Sequence, residues 1–360
     1  MAGGFVGVGG TARKIKAVYV GVDGVARKIT KAYVGVDGVA RPCFSSRTTI
    51  TSNGAIGTYP YGACYHVQGT TAGYEYAVFF GGEHDNRRTN NVYAYNSNFV
   101  ASTVQALTYN GSGDTTANTG EKGFYFYSDY DTDDGDTTNI LYTIDKNLLI
   151  TTGTRTTNKY TNRIGAGRCG NYVLVNSWTA SNSCTAFTDD MVSTQLANLP
   201  VANEWWGIAG NEHGCIFNYY NSNAVAYSTD LVQTSTTPFS GAEYSNTQKG
   251  STTSYSFVLA DNYVSSWQMW NLDFVKTGTV SSAVSGSNGR QLKEYAVYAS
   301  SNRNATCYAM SPEGLIAAYQ CVVAATVNSI GNVGNSIIYG TGYSANGGVY
   351  YSQMGALTAS

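Results

Sequence analysis

The sequence predicts an all-β chain: a seven-bladed β-propeller preceded by a short module of β-hairpin repeats. Three observations predict it. Only 12% of the 360 residues are charged, while 41 are Gly, 30 are Tyr and just 5 are Pro. Tyr and Thr favour strands, and Gly and Asn favour tight turns, so many short strands joined by short loops are expected. No long stretch carries a 3.6-residue apolar period, so helix should be scarce. The octapeptide VGVDGVAR occurs twice, at Val20–Arg27 and Val34–Arg41, with a looser copy, VGVGGTAR, at Val6–Arg13. Finally, a nine-residue string recurs seven times through the rest of the chain.

Each opening repeat centres on two turn residues, Gly9-Gly10, Asp23-Gly24 and Asp37-Gly38. A two-residue type I′ turn needs φ > 0 at both central positions, which is why Asp-Gly between strand-like flanks signals a hairpin. Residues 5–41 should therefore form successive hairpins, with Pro42 as the boundary. Isolated hairpins are marginal in water, and some forty residues cannot bury a core alone. Residues 1–44 are accordingly expected to be a docking or oligomerisation module, with Arg13, Lys14, Asp23, Gly24, Arg27, Lys28, Asp37 and Gly38 as its docking residues. Residues 1–50 hold eight basic and two acidic side chains, a charge of +6, which leaves −8 for the remainder. A positive head suits an acidic partner. Its regular spacing favours a solvated strand face instead, so nucleic acid is not an expected partner.

The body, residues 45–360, carries the period. The strings are VYAYNSNFV from Val92, LYTIDKNLL from Leu141, CTAFTDDMV from Cys184, AVAYSTDLV from Ala224, WQMWNLDFV from Trp267, CYAMSPEGL from Cys307 and GVYYSQMGA from Gly348. Their fourth positions are large: Tyr95, Ile144, Phe187, Tyr227, Trp270, Met310 and Tyr351, spaced 40–49 residues apart. The fifth is always a turn-former, from Asn96 to Ser352. Each string reads as a hairpin. An apolar strand precedes each one, among them YAVFFGG at Tyr76, GFYFYSD at Gly123 and SIIYGTG at Ser336. Near-continuous apolar character implies burial on both faces. Four strands per unit and seven units give a propeller. RTTITS, Arg47–Ser52, is a candidate outer strand for closing the ring.

Seven cysteines at scattered spacings, with no CxxC pair, argue against a zinc or redox motif. Most lie in apolar strand patterns and should act as small buried hydrophobes in a reducing cytosol. MAGGFVGVGG lacks the basic and apolar regions of a signal peptide. No run of 18 apolar residues exists, so no membrane partner is expected.

Two resemblances follow. The run ARKIKAVYVGVDGVARKITKAYVGVDGVARPCF is similar to short repeats in structural and tail-associated proteins of bacteriophages and prophages. That resemblance implies a virion component, assembled in the host bacterial cytoplasm, with other virion proteins as partners and self-association through the repeats as a further option. The body resembles kelch repeats. Gly81-Gly82, a polar loop and NNVYAYNSNF match the pattern in the first unit, and the other units lack the double glycine.

Candidate sites are few. GGEHDNRRTNN holds the densest charge in the body, and His84, Asp85, Arg87 and Arg88 are its candidate ligand-binding residues; paired arginines suit carboxylate or phosphate. Trp205 and Trp206 are candidate sugar-stacking rings. SDYDTDDGDTTN offers Asp129, Asp131 and Asp133 to a hard cation such as Ca²⁺, although the spacing is not that of an EF-hand loop, and no other cofactor is implied. The three histidines, His66, His84 and His213, sit in no recognisable catalytic motif. The expectation is therefore no enzyme, but a virion protein that docks through its repeats and binds a host-surface receptor or glycan through its propeller. A purely structural decoration protein and a glycan depolymerase are the alternatives.

Overall fold

The computed structural model describes residues 5–8, 11–14, 18–22, 25–29, 31–36, 39–45, 49–58, 67–81, 83–84, 87–109, 115–130, 136–159, 164–176, 178–180, 182–200, 207–219, 223–237, 251–253, 255–260, 266–281, 286–300, 306–311, 314–320, 326–344 and 350–360; residues 5–45 are described by their backbone alone. All regular structure among them is β-strand. The chain forms two compact units, one of residues 1–50 with Ser360 and one of residues 51–359.

The first unit contains three two-stranded antiparallel hairpins. Phe5–Val8 pairs with Thr11–Lys14, Val18–Val22 with Val25–Ile29, and Lys31–Val36 with Val39–Ser45. Val8 faces Thr11, Val22 faces Val25 and Val36 faces Val39, the register expected of strands separated by two residues. Pro42 does not end the pattern: it lies within the last strand, opposite Tyr33. The register shifts there, so that Ala32 faces Phe44. A bulge tolerates a residue without an N–H, which is why the strand survives the proline.

The second unit is built from seven four-stranded antiparallel sheets. In the first blade the strands are Gln68–Ala72 (inner), Tyr76–Phe80 (second), Val92–Asn96 (third) and Ala101–Thr103 (outer). The other inner strands are Thr115–Asn118, Ala166–Cys169, Gly207–Asn211, Ser251–Thr253, Gly286–Leu292 and Thr326–Val333. Each inner strand touches the next, and the seventh touches the first, so the ring closes. Its seventh sheet takes its outer strand, Ile50–Thr58, from ahead of the first blade. The closing strand thus extends well past RTTITS.

Six of the seven strings form the expected hairpin, and they share one turn. Asn96 N–H donates to Val100 O at 3.2 Å and Phe99 N–H to Asn96 O at 2.9 Å; the same pair of bonds recurs from Asp145, Thr188, Ser228, Asn271 and Ser311. The fourth turn residue takes φ near +60° at Phe99, Leu148, Met191, Leu231 and Phe274, and +81° at Gly314. The five large side chains pack against the cores between blades. The seventh string behaves differently. Tyr351 and Ser352 lie inside one unbroken strand, Tyr350–Ala359. Leu357 faces Ile337 there, as Met310 faces Ala296 and Tyr95 faces Ala77. Leu357, not Tyr351, therefore fills the large-residue slot. The seventh blade has no third-to-outer turn because its outer strand arrives from elsewhere in the chain.

The core lies between the sheets. Phe80 of blade 1 stacks on Tyr125 of blade 2 with centroids 4.9 Å apart, and Trp267 meets Tyr298 between blades 5 and 6 at 4.7 Å. Burial on both faces explains why second and third strands read as continuous apolar runs.

Candidate functional site

The ring's hub is made of small polar residues for a structural reason. Inner strands expose their free edges to one another, and the carbonyls along them need donors. Neighbouring side chains supply these. Thr70 Oγ1 donates to Ala117 O at 2.7 Å, and Thr116 Oγ1 donates to Gly69 O at 2.7 Å. Asn211 Nδ2 reaches Thr253 O at 3.0 Å, Thr252 Oγ1 reaches Gly210 O at 3.2 Å, and Asn332 Nδ2 bonds Gln291 O. Glycine is required where strands come closest: a Cβ on Gly210 would lie 1.9 Å from Arg168 O.

Arg290 departs from this pattern. It stands on the inner strand of blade 6, yet its Nη2 donates to Gly69 O of blade 1 and, at 2.7 Å, to Thr116 Oγ1 of blade 2. Its Nη1 donates to Gly289 O at 2.9 Å. The guanidinium thus crosses the bore. The residue keeps some exposure, but protein surrounds the charged group, and the loss of solvation lowers its pKa to about 10. It remains charged at neutral pH.

Above Arg290 a cavity of about 430 Å³ opens on the hub, lined by inner strands and by the turns that leave them. Its ionic side chains are Arg168, Glu212, Arg290 and Lys293; Thr71, Thr116, Asn118, Gln291 and Asn332 add neutral polar groups. Arg168 is held by bonds to Gly170 O at 3.0 Å and Tyr74 Oη at 3.2 Å. Tyr74 and Lys293 occupy the turns with φ of 60° and 51°. Glu212 Oε1 lies 3.9 Å from His213 Nε2. The size falls inside the range of about 300–1,000 Å³ common to small-molecule sites.

The residues singled out from sequence lie elsewhere. Glu83 pairs with Arg88 and His84 with Arg87 in a small hairpin between the second and third strands of blade 1, described by backbone alone. Asp129 lies in the second strand of blade 2, opposite Thr138, with its side chain outside the described residues. Asp85, Asp131, Asp133, Trp205 and Trp206 fall outside the described residues, as do Asp23, Gly24, Asp37 and Gly38. Arg13, Lys14, Arg27 and Lys28 lie in hairpin strands. Strand alternation fixes one relation. The described strand ends flanking residues 81–91, 131–135 and 201–206 all leave the ring at the end opposite to the inner-to-second turns. The residues that line the cavity include Tyr74, Glu212, Lys293 and Gly334 of the inner-to-second turns. Among the described residues no group of three or more His, Cys, Asp or Glu side chains could hold a metal ion. Trp178, Trp267 and Trp270 are buried packing residues. Arg290 and the cavity were missed, because the inner strands GSNGRQL and QGTTA read as loop-like Gly, Ser, Asn and Thr.

No protein-family model matches the sequence, and no curated protein sequence matches it. Solved structures do match. A streptogramin B lyase shares the fold with a TM-score of 0.54 at 10% identity, over 87% of this chain and 98% of that one. A catalytically inactive virginiamycin B lyase from Staphylococcus aureus, with quinupristin, gives 0.55 at 11% over 86% and 99%. U3-55K gives 0.51 at 8% over 84% and 99%. At such identities the likeness shows the seven-bladed ring and nothing finer. It nevertheless corrects one expectation: enzymes are built on this same ring, which overturns the reading of the chain as no enzyme from its missing motifs.

Proposed function

We propose that this chain is a recognition component of a phage-type particle, whose hairpin repeats dock it to neighbouring virion proteins and whose propeller binds a saccharide of the host surface. The observation that carries the binding role is the hub cavity, a recess of mixed polar and apolar lining fixed by strands of the blades that border it and open to solvent at one end. Sites on strands hold their geometry better than sites on loops. Hydroxyls and amides of Thr71, Thr116, Asn118 and Asn332, set among apolar Ile208 and Leu292 and the Tyr74 ring, suit a saccharide, which presents both hydroxyls and apolar C–H faces. The docking role is supported by three consecutive hairpins too small to bury a core of their own. Their wording, VGVDGVAR, resembles that of phage tail-associated repeats, and this resemblance supports the virion setting.

Screening the full chain against arrayed bacterial and eukaryotic glycans tests the binding role. Selective retention of a saccharide set, lost when Thr116→Val and Asn332→Leu alter the cavity wall, is the expected outcome. Absence of any saccharide binding by a correctly folded chain removes the reading. Particles assembled with a chain lacking residues 1–44 test the docking role, and normal incorporation of the shortened chain refutes it.

A further inference from the structure

The geometry points to a pyranose ring stacked on Tyr74 as the way the hub cavity holds its saccharide, which makes a cyclic sugar with a C–H face the ligand class and Tyr74 the residue that selects it. This rests on the recognition reading above and narrows it. A phenol suits such a ligand, because its ring covers C–H groups while its hydroxyl stays wet. Among the described residues Tyr74 is the only aromatic side chain lining the cavity. It stands in the inner-to-second turn of blade 1, between Ala72 and Tyr76, and is 50% exposed.

Three other blades fix Tyr74 in place. Its carbonyl accepts from Gly334 N–H of blade 7 at 2.7 Å, and its Oη accepts from Arg168 Nη1 of blade 3 at 3.2 Å. The phenol end packs over Gly120 of blade 2 so closely that a Cβ there would lie 2.7 Å from Oη and 3.2 Å from Cζ. A ring held this way has little freedom left to lose when a ligand covers it. The backbone is strained as well. Tyr74 takes φ of 60°, a left-handed conformation that is costly for a bulky side chain, whereas nearby turns meet a similar φ with Gly170 and Gly334. Burial is the usual recompense, and half of this residue stays in solvent. An exposed aromatic on strained backbone beside a cavity fits a binding role. Ile208 and Leu292 add apolar surface to the wall, and Thr71, Asn118 and Gln291 bring polar groups to it. A stacked sugar sets its C–H face on the ring and its edge hydroxyls against those groups. An open-chain polyol has the same hydroxyls and no face to stack. Tyr255, in the inner-to-second turn of blade 5, is equally exposed but does not line the cavity.

Saturation-transfer NMR of the full chain with methyl β-galactoside, methyl β-glucoside and methyl α-mannoside, each beside its open-chain alditol, separates the possibilities. At least one pyranoside should bind about tenfold or more tightly than its alditol, with its ring C–H protons most strongly saturated. Tyr74→Ala should lower that affinity about tenfold, and Tyr74→Phe, which keeps the ring, by less than about threefold. Tyr255→Ala should leave it unchanged. If Tyr74→Ala does not fold, Tyr74→Asn decides, since Asn tolerates the left-handed backbone. Where only a larger arrayed glycan is retained, the same substitutions are read on the array. Alditols bound as well as pyranosides, binding indifferent to loss of the Tyr74 ring, or Tyr74→Phe or Tyr255→Ala as damaging as Tyr74→Ala overturns the inference and leaves saccharide recognition standing. Binding of no pyranoside and no arrayed glycan overturns both.

Discussion

At the scale of single residues, the hub is a place where a methyl group decides stability. Gly210 sits so close to Arg168 O that alanine must push two inner strands apart. Overpacking of this kind costs about 1–3 kcal/mol, so Gly210→Ala should lower the urea midpoint clearly, whereas Gly278→Ala, with open space around its Cβ, should not. Buried thiols make a second prediction. Loss of solvation holds Cys169 and Cys184 at about 12 instead of 9.0, and raises Cys215 well above 9.0. The folded chain therefore keeps these protons when the unfolded chain releases them. Stability from this source is complete below pH 9 and falls as pH climbs from 9 towards 12, by about 1.4 kcal/mol per thiol per unit. Urea midpoints at pH 8 and pH 10 measure the fall, and Cys184→Ala should make it shallower. At this scale the sequence was only partly legible. Cys169, Cys184, Cys215 and Cys307 are buried, as expected of cysteines in apolar strand patterns, while the side chains of Cys43, Cys64 and Cys321 lie outside the described residues. Arg290 had no address, because nothing in GSNGRQL distinguishes an inner strand from a loop.

At the scale of elements, the repeated third-to-outer turn shows why the strings could be aligned at all. Asn96 Oδ1 accepts from Asn98 N–H at 2.9 Å and Val100 N–H at 3.0 Å, and Asp145 and Asn271 do the same for their own turns. Ser228 makes one long bond, to Val232 N–H at 3.4 Å. Asn271→Ala should thus cost about 1–2 kcal/mol and Ser228→Ala less than about 1, read from paired thermal melts. The left-handed residue beside each cap sets two effects against each other. A left-handed backbone costs about 1–2 kcal/mol for a side-chain-bearing residue, while full burial of a leucine contributes about 1.5–3 kcal/mol and Leu231 is only partly buried. The two effects nearly cancel, so Leu231→Gly should change stability by less than about 1 kcal/mol. These turns were visible in sequence because polar cap and apolar wedge recur together. The seventh was misplaced by six residues because no such turn exists there, and alignment forced GVYYSQMGA onto a pattern it does not follow.

At the scale of the whole molecule, ring number and class were legible from period alone, since a 40–49-residue spacing leaves room for four strands per unit. Closure was legible only in part: RTTITS marks the right region, but pairing between residues 50–58 and 350–359 is non-local and leaves no periodic trace. Closure also separates two truncations. Removal of residues 1–44 leaves every strand of the ring and should shift the melting temperature by less than about 2 °C, whereas removal of residues 1–58 strips the seventh sheet of its outer strand and should lower it by at least about 5 °C, by scanning calorimetry.

That shared seventh sheet has a consequence during synthesis. The ribosome releases Ile50–Thr58 long before its partner, Tyr350–Ala359, has been made. At about 5–20 residues per second, the early strand waits roughly 15–60 s with its hydrogen-bonding edge bare. Such an edge invites pairing with a neighbouring nascent chain. In the finished sheet Gly54 and Gly57 take φ of 71° and 153°, so the strand as folded is not the flat ribbon that intermolecular pairing favours.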